Sequence, residues 1–209
     1  MVTVTYTVND FCTGAPTVLT DDINVTNDPP EIICKGSGTI PMTGSETANP
    51  AVPIPDNNPV GVTVTMNVTE NVVITDLDVN LNISHTWVGD VLVKIKSPAG
   101  TEITIVDRPG VPASTFGCDG NDIDATLDDE AATAIENECA GAVPTINGTF
   151  IPNTPLSIFD GENTLGVWEL TVSDNAGADT GTLNSWGIDY DYEIISPVYD
   201  VTLDASGNA

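Results

Sequence analysis

The sequence predicts an all-β protein built as a sandwich or barrel. Three observations carry that expectation. Short runs of alternating apolar and polar residues recur along the chain, which is the period of half-buried strands. No stretch sustains a 3.6-residue period. Aspartates outnumber glutamates 21 to 10, and aspartate favours turns and loops whereas glutamate favours helices.

Residues 1–36 read as β, through Val2, Val4, Tyr6 and Val8, and then as the tail of a preceding β-sandwich repeat or an irregular extension. Asn27-Asp28-Pro29-Pro30 breaks the pattern. Residues 37–60 form a Pro/Gly-rich linker and lead-in strand, because Pro50, Pro53, Pro55 and Pro59 oppose regular structure. The main domain is expected over 61–195. Val62, Val64, Met66 and Val68 alternate in its first strand. Val72 and Ile74 alternate next, and Thr75-Asp76 then shifts the phase before Leu77, as a β-bulge does. Leu77, Val79, Leu81 and Ile83 continue the strand up to His85. Gly89-Asp90 turns the chain into Val91, Val93 and Ile95, and Ser97-Pro98-Ala99-Gly100 turns it again into Ile103 and Ile105. A helical turn is expected within Asp128–Asn137 with Asp128 as its cap, and a short strand at Leu156 and Ile158. Trp168, Leu170 and Val172 share one face of a strand. Trp186, Ile188, Tyr190, Tyr192 and Ile194 make the longest alternation, so Trp168 and Trp186 are structural core residues. Residues 196–209 begin a following linker or module, with Val198, Val201 and Leu203 left without a pairing partner.

The chain has 209 residues and is 40% hydrophobic, enough for one sizeable core. Four Lys+Arg against 31 Asp+Glu give a net charge of −27. That excludes nucleic acid and anionic membrane as partners, since both require basic surface. It favours divalent cations and an extracellular setting, secreted or at the cell surface. No apolar run is long enough to span a membrane, and the chain reads as a mature secreted protein or a piece of one. The four cysteines fall into two local pairs, Cys12 with Cys34 and Cys118 with Cys139. No CxxC spacing is present and the single histidine cannot complete a zinc set. Disulfides in an oxidising compartment are therefore expected.

The order of residues also resembles a known family. Ile83-Ser84-His85-Thr86-Trp87-Val88-Gly89-Asp90-Val91, Ser97-Pro98-Ala99-Gly100-Thr101 and Thr126-Leu127-Asp128-Asp129-Glu130-Ala131 resemble blocks of the P domain, or P/Homo B domain, of proprotein convertases. Pro155-Leu156-Ser157, Gly166 to Asp174 and Asp179 to Trp186 continue the likeness in order over about residues 50–194, most closely to bacterial secreted members. The resemblance implies a jelly-roll, galactose-binding-like β-sandwich of about eight or nine strands. It implies a non-catalytic accessory domain beside a secreted subtilisin-like serine endopeptidase, supporting folding, stability or substrate engagement. The alternative is an adhesion or spacer module of a large bacterial surface protein. In either case the partners are adjacent domains of the same polypeptide, and the chain itself is a monomer. The resemblance also strengthens the Cys118–Cys139 pairing.

An enzyme in its own right is not expected. A subtilisin-like triad needs Asp, His and an activated Ser, and no serine stands in a nucleophile setting. His85 and Gly89 are read as structural. The chemistry is expected in the cysteine-bounded acidic insert, where Asp119, Asn121, Asp122, Asp124, Asp128, Asp129 and Glu130 repel one another unless Ca²⁺ gathers them. Asp174 and Asp179, at the two ends of a short loop, form a second candidate calcium site, and Asp90 a third.

Overall fold

The computed structural model describes residues 2–9, 16–23, 31–32, 39–111, 113–195 and 201–202, with side chains for 39–111 and 113–195. Fourteen strands follow in chain order: β1 (Val2–Asn9), β2 (Pro16–Ile23), β3 (Glu31–Ile32), β4 (Thr39–Ala48), β5 (Val52–Ile54), β6 (Asn58–Val68), β7 (Ile74–His85), β8 (Val91–Lys96), β9 (Glu102–Asp107), β10 (Ile123–Leu127), β11 (Ile146–Phe150), β12 (Gly166–Asp174), β13 (Gly181–Ile195) and β14 (Val201–Thr202).

The chain divides into two compact units, Met1–Thr39 with Ile195–Ala209, and Ile40–Ile194. In the first, β1 and β2 form an antiparallel hairpin and β14 pairs antiparallel with β3. The C-terminal strand expected to lack a partner therefore has one.

The second unit holds two sheets, a six-stranded one ordered β11-β10-β7-β13-β4 with β5 also on β13, and a four-stranded one ordered β6-β12-β8-β9. Ten strands result, rather than eight or nine, because residues 39–54 supply β4 and β5. The prolines of that stretch are accommodated at the sheet margin, where an absent N–H breaks no central ladder. From β6 onward the chain crosses repeatedly between the sheets. The late strands β12 and β13 take interior positions, so Trp168 and Trp186 enter the core between strands formed far earlier in sequence.

Alternation decides which face is buried. Leu77, Val79, Leu81 and Ile83 of β7 are all 1% exposed or less, and they pack against Val93, Ile95, Leu170 and Val172 within one apolar core. The phase shift at Thr75-Asp76 is a register irregularity: Asp191 faces Asp76 whereas Tyr192 faces Ile74, which leaves Thr75 as the extra residue. The bulge lets both Ile74 and Leu77 point inward. Phe159 meets Trp168 edge-on at 5.5 Å, and Trp168 Nε1 donates to Thr164 O at 3.0 Å. Its indole is thus both packed and satisfied.

Two local expectations change. Leu156–Phe159 is a 3₁₀ turn instead of a strand. Leu156 and Phe159, three apart, are buried, while Ile158 is 51% exposed. The Asp129 carboxylate fixes this turn by accepting from Leu156 N at 2.8 Å and Ser157 N at 2.9 Å. Within Asp128–Asn137 the helical content is limited to a 3₁₀ turn at Ile135–Asn137. Ile135 N donates to Ile151 O and Ile151 N to Thr133 O, so a bridge to the chain after β11 captures the backbone that a helix would use.

Glu136 in that turn accepts from Asp107 N at 2.7 Å through one carboxylate oxygen, while the other is buried without a partner. Burial holds its carboxyl above its ordinary value of 4.5. Protonation is thus favoured by folding: this contribution is present in full below pH 4.5 and is lost as pH rises through the elevated folded value. Glu136→Gln keeps an acceptor for Asp107 and removes the buried charge. Its urea midpoint is expected to exceed wild type at pH 8, and the two should converge near pH 4.

Candidate functional site

The turn after β7 is built on close backbone approach. A Cβ on Gly89 would lie 2.5 Å from Cys118 N and 2.7 Å from Gly117 Cα, so only glycine lets the start of the acidic insert rest on this turn. Gly89 N donates to Cys118 O and Val88 N to Gly120 O, both at 2.9 Å. The Cys118–Cys139 disulfide, 21 residues apart, closes the insert. Cys12 and Cys34 lie outside the described residues.

His85 is 1% exposed. Its Nδ1–H donates to Trp87 O at 2.8 Å, and Nε2 faces Asp174 Oδ2 at 3.3 Å with both side chains fully buried. The other Asp174 oxygen accepts from Ala176 N at 3.0 Å. Asp90 is also buried, with Arg108 Nη2 at 3.7 Å. Burial and the neighbouring Asp174 raise the Asp90 carboxyl, against the lowering influence of Arg108. Asp179 Oδ1 accepts from Thr86 Oγ1 at 2.8 Å, which ties the far end of the 174–180 loop to β7. The carboxylates of Asp90, Asp174 and Asp179 are thus engaged by an imidazole, a guanidinium, a hydroxyl and a backbone N–H. These contacts use both oxygens of Asp174 and one each of Asp90 and Asp179. The imidazole, sealed from solvent with both nitrogens occupied, is placed to hold β7, the Trp87 turn and β12 together.

The acidic insert separates into two ends. At the first, Asp122 sits at φ +68° and accepts from His85 N at 2.9 Å. Asn121 O accepts from Thr145 N, and Asp119 is exposed beside the disulfide. Asp124 lies on β10 and faces outward. Cys118, Asp119 and Cys139 form the one trio among the described residues whose ligand atoms lie within 4.8 Å of one another, and its sulfurs are consumed by the disulfide.

At the second end, Asp128 Oδ1 accepts from Glu130 N at 2.7 Å, and Asp129 is spent on the 3₁₀ turn described above. Asp128 and Glu130 lie within electrostatic reach of Asp76 and Asp78 on the outer face of β7, residues that the sequence pattern does not single out. Asp78 has one buried oxygen without a partner. Burial pushes its carboxyl up to about 7, reinforced by Asp128, Asp76, Asp189 and Glu130. Glu130 is raised first by its hydrogen bond to Asp128, then by Asp76. The alternation in β7 marks Asp76 and Asp78 as outward, but only the sheet register brings β10 and the insert beside them. These four carboxylates repel one another without converging into a closed cage.

The family model for the proprotein convertase P-domain matches residues 74–134 and 135–190. These are 61 and 56 residues, 117 of the 209. No curated protein matches the chain significantly. Among solved structures, the Aeromonas sobria serine protease in complex with its chaperone is 15% identical with a TM-score of 0.47, covering 75% of this chain and 27% of that one. The same protease alone gives 15% and 0.44, over 74% and 27%. The Gt strain of infectious bursal disease virus gives 17% and 0.30, over 84% and 38%. The chain thus spans about a quarter of the length of the bacterial protease chains it matches.

Proposed function

Because this chain belongs to the proprotein convertase P-domain family, we propose that it is a non-catalytic, calcium-stabilised accessory module of a secreted subtilisin-like serine endopeptidase. The family match across the β7–β13 sandwich is the observation that carries this reading. The burial of His85 supports it, since an imidazole bonded at both nitrogens and 1% exposed has no access to a substrate. The module's task is to support folding and stability of a neighbouring catalytic domain in the same polypeptide, outside the cell. The experiment is deletion of residues 40–194 from the parent polypeptide. The proposal expects a large loss of recoverable active protease; full recovery and an unchanged inactivation half-life would contradict it.

Calcium is assigned to Asp128 and Glu130 with Asp76 and Asp78. Bound there, the ion neutralises repulsion between the insert and β7. Millimolar calcium is expected to raise the thermal midpoint, excess chelator to lower it, and Asp78→Asn to abolish the response. An unchanged midpoint in chelator, with no metal by elemental analysis, removes calcium from the account.

The second reading, an adhesion or spacer module of a surface protein, is favoured by one observation. The chain carries a separate β unit, with the β1–β2 hairpin and the β3–β14 pair, outside the sandwich.

A further inference from the structure

The outer face of the six-stranded sheet carries a trough of about 370 Å³, within the range of small-molecule sites. Its position follows from strand register. Asn147 of β11 faces Asp124 of β10, Asp124 faces Asn82 of β7, and Asn82 faces Ser185 of β13. Four short polar side chains thus form one row across four strands, spanning ~14 Å at the usual strand spacing. The neighbouring row ends at Gly187, where a Cβ would meet Glu46 O at 2.7 Å, so the bare backbone lets β4 lie along the edge of the trough.

The chemistry of the row narrows the ligand. Amides and hydroxyls both donate and accept, which matches a polyol better than an ion. Among the described residues, Lys94 and Lys96 lie on β8 of the other sheet and Arg108 beside Gly89, so no described cation lines the trough to hold a phosphate, sulfate or uronate. One carboxylate, Asp124, lines it, which gives a basic peptide a single ion pair. A wall of the trough is already rigid: Thr126 Oγ1 donates to Asn80 Oδ1 at 2.7 Å, and Asn80 Nδ2 donates to Asp189 Oδ2 at 2.7 Å. Asn82 is held as well, accepting at Oδ1 from Asn184 Nδ2 at 2.8 Å, and its own amide hydrogens remain for a ligand. Preorganised amides beside an exposed carboxylate suit paired hydroxyls on a sugar ring.

We propose that this trough binds a neutral oligosaccharide, with Asp124, Asn82 and Asn147 as its principal hydrogen-bonding groups. The test uses the full chain, isotopically labelled, titrated with neutral gluco-, manno- and chito-oligosaccharides and, separately, with tetra-arginine. At least one neutral sugar should shift amides of β10, β11 and β13 around the trough in a saturable manner, insensitive to salt between low and high ionic strength. Asp124→Ala should weaken that binding ~10-fold, the scale of one lost charged hydrogen bond. Asn147→Trp should block the trough, and both exposed substitutions should leave the thermal midpoint in place. The proposal is overturned if no neutral sugar perturbs these strands at tens of millimolar. It is equally overturned if the shifts map elsewhere, or if only tetra-arginine binds and does so in a salt-sensitive manner.

Discussion

Replacing His85 with alanine is expected to lower stability by ~3 kcal/mol, the cost of leaving a buried carboxylate without its hydrogen-bond partner. Asp174 would be left fully buried with its Oδ2 facing a cavity. The Trp87 turn would lose the imidazole whose Nδ1–H donates to Trp87 O at 2.8 Å. The same residue is the only histidine in the chain, so a catalytic reading must also pass through it. The two readings predict different data. A structural His85 lowers the denaturation midpoint of the isolated chain, which shows only background peptidase activity before and after substitution. A catalytic His85 gives turnover that disappears while the fold persists.

Trp168→Ala is expected to cost ~3–5 kcal/mol, the range for emptying a large aromatic site in a close-packed core. The indole is fully buried, packs edge-on against Phe159 and bonds Thr164 O. It therefore joins β12 to the Leu156–Phe159 turn, which Asp129 in turn holds to the acidic insert. For a chain of this size the loss corresponds to roughly 10 °C in thermal midpoint. Trp168→Phe keeps most of the volume and gives up the bond to Thr164, so it should fall between alanine and wild type.

These sites differ in how far the amino-acid order alone reveals them. The sandwich was legible because alternation reports directly which face of a strand is buried. The bulge at Thr75 was legible for the same reason, since a phase error in apolar spacing has few other physical causes. Leu156 and Ile158 misled because two apolar residues two apart are too short a run to separate strand from 3₁₀ turn. The spacing of Leu156 and Phe159 held the better signal. The helical turn at Asp128–Asn137 lost to a tertiary bridge with Ile151 that local propensity does not encode. The acidic insert was legible as a concentration of charge, whereas its division was not. Asp122 and Asp129 look like their neighbours in sequence, yet one holds His85 and the other starts a turn. Asp76 and Asp78 read as ordinary outward strand residues until the register of β7 with β10 and β13 sets them beside Asp128, Glu130 and Asp189. The row of Asn147, Asp124, Asn82 and Ser185 is likewise a product of register across four strands.

On the proposed function, the module supports a protease without taking part in its chemistry. Its most direct test is active-site titration of the parent polypeptide after refolding, with and without Trp168→Ala, at a temperature between the two thermal midpoints of the module. An accessory role predicts fewer titratable active sites in the variant and an unchanged kcat per site. A lower kcat with every site recovered would contradict the claim by placing the module in the catalytic step, and no change in either quantity would reduce it to an idle spacer.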